Sequence, residues 1–360
     1  MSAKKALIAM SGGVDSTVAA FLMKRQGYDC VGCTMKLHDK EADQNERERT
    51  CCSVDDVEDA RAAADCLGMP YYVFNFKDRF REAVIQKFID SYENGRTPNP
   101  CIDCNRYLKF GRLYEQAEIL GCDCVVTGHY ARIEEDDGRY LLKKALDETK
   151  DQSYVLYSLT QEQLMHTRFP LGELRKAEVR ELAENNGFGN ADKPDSQDIC
   201  FVTDGDYAKT IEQLSGKRAL PGMFVSVDGT PMGQHRGIIH YTLGQRKGLG
   251  ISAPEPLYVC GMNKADNTVT VGPETALYSR VLYAEDVNWI AVSRLTEPMR
   301  VSAKIRYRHV EKPAVVYPEQ NGGIRVVFDE PQRAITEGQA VVLYDGELVV
   351  GGGTICRVEK

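Results

Sequence analysis

Two groups of residues in this 360-residue chain have the types and spacing of a reacting centre. The first is Ser11-Gly12-Gly13-Val14-Asp15-Ser16. Glycines at 12 and 13 open backbone conformations closed to other residues and let an anion approach the main chain. Ser11 and Ser16 add hydroxyl donors, and Asp15 could orient a metal or cap the turn. The second group is thiols: Cys101 and Cys104 within Pro98-Asn99-Pro100-Cys101-Ile102-Asp103-Cys104-Asn105-Arg106, and Cys200 at the end of Ser196-Gln197-Asp198-Ile199-Cys200. A thiol beside a helix N-terminus and an arginine ionises more easily, and the thiolate is the nucleophile. The spacing fits a catalytic pair, ligands of a metal or iron–sulfur cluster with one open position, or structural thiols. A complete zinc site would want a second local pair, whereas Cys200 stands alone.

The elements around these residues narrow the chemistry. The apolar run Ala6–Met10 predicts a buried first strand, and Thr17–Gln26, with Val18, Phe21 and Leu22 at helical spacing, predicts a helix. A strand, a glycine turn and a helix N-terminus aim free N–H groups and the positive end of the dipole at one point, which is a phosphate site. No Gly-Lys-Ser/Thr follows the glycines, so this is not the P-loop of kinases and GTPases. It matches the pyrophosphate loop of adenylating enzymes, which cleave ATP between the α and β phosphates.

Further strands are expected at Asp29–Thr34, Tyr71–Phe76 and Cys124–Gly128, alternating with helices at Val54–Leu67, Asp78–Asn94 and Gly111–Leu120. That alternation predicts an α/β fold with a parallel, doubly wound sheet and ligands at the strands' carboxyl ends. Thr34–Met35 and Thr127-Gly128-His129 fall at two such ends and should face the same crevice. Cys122 and Cys124 enter an apolar strand and read as core. The polar stretch 36–52 reads as a loop over the site, with Cys51 and Cys52 structural. After about residue 210 short β-rich runs such as Val301–Tyr307 are separated by Asp228-Gly229, Asn321-Gly322-Gly323 and Asp345-Gly346 turns, predicting small β domains. The expected division is an adenylating domain at 1–210, a central small β domain at 211–273 and a C-terminal β-barrel at 274–360.

No apolar run approaches the ~20 residues of a membrane helix, and Met1-Ser-Ala-Lys-Lys5 leads straight into the first strand, so a cytoplasmic location is expected. Twelve unevenly spaced cysteines then argue against a disulfide scaffold. The net charge of −8 argues weakly against nucleic acid, but local basic clusters exist, one at Lys304, Arg306, Arg308, His309 and Lys312.

Eight stretches, in order along nearly the whole chain, carry a resemblance: Ala9–Ser16, Thr97–Pro100, Cys104-Asn105, Thr127–Tyr130, Lys150–Tyr154, Asp195–Cys200, Tyr241–Gly248 and Arg306-Tyr307. With them the chain resembles the bacterial tRNA-specific 2-thiouridylases, which convert uridine 34, the wobble base, to 2-thiouridine. The resemblance implies ATP binding by Ala9, Met10, Ser11, Gly12, Gly13, Val14, Asp15 and Ser16, with Met35 and Gly128 near the adenosine. Cys104 would be the nucleophile and Cys200 would carry a persulfide. Asn99, Pro100 and Cys101 would lie by the target base. His129, Lys150, Asp151, Gln152, Arg306, Tyr307 and Gln339 would contact tRNA. Mg2+ is implied by pyrophosphate release, and a sulfur-donor protein by the persulfide. Reaching C2 of the base should require it to be splayed from its stack.

One position departs from the pattern: the best-described members carry aspartate where this chain has Cys101. Either Cys101 is a harmless substitution, or Cys101, Cys104 and Cys200 hold an iron–sulfur cluster. The rival readings are a pyrophosphate-loop amide- or guanidine-forming ligase, which would have no use for Cys104 and Cys200, and a non-catalytic RNA- or redox-responsive binding protein.

Overall fold

The computed structural model describes residues 3–38, 54–193, 199–202 and 205–359. Cys51 and Cys52, most of the expected loop at 36–52, and Ser196, Gln197 and Asp198 lie outside the described residues. The chain divides into two compact units. The first comprises Met1–Val84, Cys101–Thr203 and Glu347–Val349, and the second Ile85–Pro100, Asp204–Gly346 and Val350–Lys360.

In the first unit β1 (Lys5–Ala9) leads through the glycine loop into α1 (Val14–Arg25), β2 (Asp29–Lys36), α2 (Val54–Cys66) and β3 (Tyr71–Asn75). β4 (Cys124–Val126) follows, then a hairpin of β5 (Arg132–Asp136) and β6 (Arg139–Lys143), and last β7 (Thr167–Arg168). The sheet order is β3-β2-β1-β4-β7, every pair parallel. β1 and β2 are almost continuously apolar because helices cover both faces of the sheet. Val18, Ala19 and Met23 of α1 join Ala6 and Ile8 in the core under it.

Chain order reverses between β1 and β4. Such a switch point opens a crevice beyond the strand ends. Ser11 and Thr127 follow those two ends, so the parallel sheet expected from sequence is present with its crevice where the motifs lie.

The second unit holds two β structures. β8 (Gly222–Ser226), β9 (Pro231–His235), β10 (Tyr258–Asn263) and β11 (Thr268–Gly272) form a four-stranded sheet ordered β10-β11-β8-β9. β12 (Tyr278–Trp289), β13 (Met299–Lys304), β14 (Lys312–Pro318), β15 (Ile324–Arg333), β16 (Ala340–Asp345) and β17 (Leu348–Glu359) run in the order β12-β15-β14-β13-β16-β17. Pairing of β12 with β17 closes a six-stranded barrel, which removes the exposed edges an open sheet would leave. Its interior is filled by alternating inward residues such as Ile324, Val326 and Phe328.

Two local expectations are corrected. The strand expected over Val301–Tyr307 ends at Lys304. Arg306 and Tyr307 lie in a turn closed by the His309 N–H donating to the Arg306 carbonyl at 3.1 Å. The helix expected at Gly111–Leu120 begins earlier, with an irregular turn at Pro100. Proline fits the first helical position, where its missing N–H costs nothing and its φ is already helical.

Candidate active site

The phosphate loop is shaped before any ligand binds. Gly13 caps α1, so Asp15 and Ser16 sit in the helix's first turn. The Ser16 hydroxyl donates to the Gly13 carbonyl at 2.9 Å and accepts the Ser11 N–H at 3.2 Å. Ser16 therefore knits the loop together, and Ser11 is the exposed hydroxyl. Gly12 has φ +76°, and a Cβ there would stand 2.4 Å from the Asp56 carbonyl oxygen at the start of α2. Gly128, just past β4, presses on the loop from the other side. A Cβ there would be 2.8 Å from both the Asp15 carbonyl carbon and the Ser16 nitrogen. Met10 and Met35 are both buried beneath this end of the sheet.

Asp15 is the most heavily bonded group of the loop. Lys176 Nζ donates to both of its carboxylate oxygens at 2.8 Å, and the Tyr130 hydroxyl donates to Oδ1 at 2.8 Å. Lys176 opens the helix α3 (Lys176–Asn185), and its side chain is only 11% exposed. Behind the loop, Asn190 Nδ2 donates to the Gly12 carbonyl at 3.1 Å and to Thr17 Oγ1 at 2.9 Å. Its buried Oδ1 has no hydrogen-bond partner among the described residues. Lys193 Nζ donates to Asp56 Oδ1 at 2.6 Å and Asp59 Oδ2 at 2.8 Å, and lies 3.5 Å from the Gly12 carbonyl oxygen. Burial works against the Lys193 charge, but the bonds to Asp56 and Asp59 outweigh it and hold the ammonium above the ordinary lysine range.

Cys101 and Cys104 lie on one irregular helix. A turn at Pro100–Asp103 passes into a π-helical stretch at Cys104–Arg112 and then into α-helix at Leu113–Ile119. Wide π turns are uncommon and concentrate at functional sites. Cys101 is exposed and Cys104 is buried. Asn105, 1% exposed, is fixed by its Nδ2 donating to the Val155 carbonyl at 3.0 Å, while its Oδ1 has no partner among the described residues. Cys200 is half-buried. Its neighbour Phe201 meets Phe80 edge to face at 5.7 Å between centroids, and Lys77–Phe80 also packs against Cys104–Arg112. The residue after Cys200 and the stretch that Cys104 opens thus both touch one short helical segment of the first unit.

The remaining candidates divide between the units. In the first, His129 lies between Phe110 and Phe169, with centroids at 6.0 and 5.9 Å, and its Nδ1 is 2.7 Å from Thr127 Oγ1. Burial, and then the nearby Lys109 charge, push its pKa well below 6.5, so the imidazole is neutral. Asp151 accepts the N–H groups of Ala145 and Ser153, and Gln152 Oε1 accepts the Tyr130 N–H. In the second unit, Gln339 Nε2 donates to the Thr97 carbonyl at 2.9 Å and lies 3.4 Å from that of Pro98, shaping the approach to Asn99 and Pro100. Arg306 donates to the Ala334 carbonyl at 2.8 Å and to Thr336 Oγ1. Tyr307 is exposed.

Sequence reasoning missed Lys176, Lys193 and Asn190 as members of the site. A lysine in the first turn of α3, where the helix dipole disfavours a cation, was the available signal for Lys176. Cys122 and Cys124 are core thiols as expected. Burial, the largest cause, raises both pKa values, that of Cys124 to about 11. Among the described residues no group of three His, Cys, Asp or Glu side chains is gathered to hold a metal ion.

The family model described as tRNA methyl transferase HUP domain matches residues 4–204. That described as tRNA methyl transferase PRC-barrel domain matches 208–273, and the aminomethyltransferase beta-barrel domain model matches 279–355. The chain is 52% identical over 354 residues to the tRNA-specific 2-thiouridylase MnmA of Clostridioides difficile, covering 98% of each. It is 53% identical over 358 residues to the protein of that name from Acetivibrio thermocellus, covering 99% of this chain and 100% of the relative. The Clostridium acetobutylicum protein of that name is 49% identical over 352 residues, covering 98% and 99%.

The neutral His129 sets a pH dependence of stability. Unfolding releases an imidazole of ordinary pKa, 6.5, which binds a proton the native state refuses. Its contribution is therefore complete above that value and is lost as pH falls through it. Thermal melts at about pH 7.5 and about pH 5.5 should show a smaller drop for His129→Gln than for the unaltered protein. Equal drops would contradict the neutral assignment.

Proposed function

Because this chain belongs to the tRNA-specific 2-thiouridylase family, we propose that it carries out ATP-dependent 2-thiolation of uridine 34 in tRNA. The observation that carries the reading is the presence in one compact unit of the phosphate loop, Cys104 and Cys200. A plain ligase on the same loop would leave both thiols without a task.

Ser11–Ser16 receives the phosphates on backbone N–H groups and the N-terminus of α1, with Met35 and Gly128 beside the adenosine. The base, held by Asn99, Pro100 and Cys101, attacks the α phosphorus through its O2 and pyrophosphate leaves. C2 now bears an adenylate, a far better leaving group than an amide-like oxygen, so the substitution is split into two easier steps. The terminal sulfur of a Cys200 persulfide adds to C2, and AMP departs with the original O2. The Cys104 thiolate then attacks the Cys200 sulfur of the resulting C2–S–S link. This frees the thiouridine sulfur and leaves a Cys104–Cys200 disulfide. A dithiol supplies the two electrons that reopen it, and a sulfur-donor protein reloads Cys200. His129, Lys150–Gln152, Arg306, Tyr307 and Gln339 contact the RNA or hold the segments that do. Such local contacts position the anticodon arm while the remaining surface stays acidic.

Both carboxylate oxygens of Asp15 are engaged by Lys176, so the loop's own acid does not offer Mg2+ an open ligand. Mg2+ would ride on the phosphates of ATP and neutralise charge as the α–β bond breaks. Among the described residues Cys101, Cys104 and Cys200 are not gathered as a three-ligand set, and we place the transferred sulfur on a Cys200 persulfide rather than on a cluster. We place the adenylating domain at 1–210, the central β domain at 211–273 and the RNA-contacting barrel at 274–360. No described helix is long and apolar enough to cross a membrane, and we assign the protein to the cytoplasm.

Cys200→Ser should abolish thiolation while tRNA-dependent AMP formation remains detectable. A folded variant that loses both activities would contradict the assigned role. Protein purified without oxygen should be colourless, free of iron and acid-labile sulfide, and active with a persulfide donor. Activity that tracks stoichiometric bound iron would overturn the persulfide route.

A further inference from the structure

Two residues join the phosphate loop to the 147–152 loop, each through its side chain at one end and its backbone N–H at the other. The Lys176 N–H donates to Asp147 Oδ2 at 3.0 Å while its Nζ holds both oxygens of Asp15. The Tyr130 N–H donates to Gln152 Oε1 at 2.9 Å while its hydroxyl donates to Asp15 Oδ1. Gln152 answers with its own N–H to the Tyr130 carbonyl at 2.9 Å. The two links lie side by side, with Lys176 Nζ 5.9 Å from the Tyr130 ring centroid.

Neither end is slack. Asp147 Oδ1 accepts the Thr149 N–H at 3.1 Å and its hydroxyl at 2.6 Å. Asp151 is fixed to Ala145 and Ser153. At the other end the backbone of Gly128, two residues before Tyr130, leaves no room even for a methyl group against Asp15. A shift of 147–152 therefore reaches Asp15, and with it the first turn of α1 that receives the phosphates.

We propose that the Asp15 carboxylate is the junction through which tRNA on 147–152 and ATP on the phosphate loop raise each other's affinity, with Lys176 and Tyr130 as the positioning residues. The inference rests on the reading above that these two segments contact RNA and ATP. RNA on 147–152 acts through both links on the position of Asp15, and phosphates on the loop act on the same carboxylate from the other side, so each ligand favours the arrangement the other binds. Thermodynamic linkage makes the effect equal in the other direction. The consequence is economy of ATP, which is bound tightly only when a base is present to be adenylated.

The test measures equilibrium affinity for α,β-methylene-ATP, which resists α–β cleavage, with and without unmodified tRNA carrying uridine 34. Tyr130→Phe, Lys176→Met and Asp147→Ala are compared with the unaltered chain, and melting curves check folding. The unaltered protein should bind the analogue about fivefold or more tightly with tRNA. Each variant should bring that ratio close to one. A purely structural role would weaken binding with the ratio intact, and an unchanged ratio overturns the proposal. Tyr130→Phe removes a single hydroxyl and decides the matter alone if Lys176→Met fails to fold. Binding of both ligands without mutual effect would overturn this inference and leave the functional reading standing. Absence of tRNA or nucleotide binding by the unaltered protein would overturn both.

Discussion

The bond between Asp15 and Lys176 is the constraint on which the catalytic unit depends. A carboxylate in the first turn of a helix is favoured by the dipole, but that contribution is only about 0.3–1 kcal/mol. Asp15 is held besides by two donors brought from 115 and 161 residues away. Lys176 is nearly buried, so removing its partner would strand a sheltered ammonium, a loss of about 3–5 kcal/mol. Native stability is itself only about 5–15 kcal/mol. Loop shape and fold integrity are thus tied to one pair of charges. The glycines at 12 and 128 serve the same end, since each lets a neighbouring backbone close on the loop where a side chain would hold it off.

Around that fixed point the molecule separates two tasks. The parallel sheet presents a rigid, ligand-ready phosphate cradle. The thiols sit on less regular backbone: Cys104 at the start of a π-helical stretch, Cys200 in a loop anchored through Phe201 on Phe80. The proposed adenylation would draw on preorganised donors that do not move, and the proposed sulfur relay on two thiols that approach in turn. In the second unit, Arg306 and Gln339 bond to backbone carbonyls of distant segments of that unit, so they hold those segments in shape. Tyr307 is the exposed ring of that group, with Lys304 Nζ 5.8 Å from its centroid.

Much of this was legible because the signals are local. A short apolar strand, two glycines and a helix are contiguous, and the crevice follows from the strand order that βαβ units impose. The helix at Pro100 starts earlier than the expected Gly111 because proline fits a first helical turn. The β5–β6 hairpin was missed although Asp137-Gly138 announces it, with both residues at positive φ as a tight two-residue turn requires. What the sequence could not carry were bonds closed over long separations. Nothing near Lys176 names Asp15 as its partner, and nothing near Gln339 points to the carbonyl of Thr97. The resemblance made Arg306 an RNA contact, and no local signal showed that its guanidinium also bonds the Ala334 carbonyl and Thr336 Oγ1.

The account stands on the base's own oxygen being activated as an adenylate and leaving with AMP. Transfer RNA carrying 18O at the C2 oxygen of uridine 34 tests this directly, with mass spectrometry of the nucleotide released in one round of thiolation. The account predicts one 18O in the AMP phosphate for each 2-thiouridine formed. Label appearing in water or in pyrophosphate, with AMP unlabelled, would contradict it.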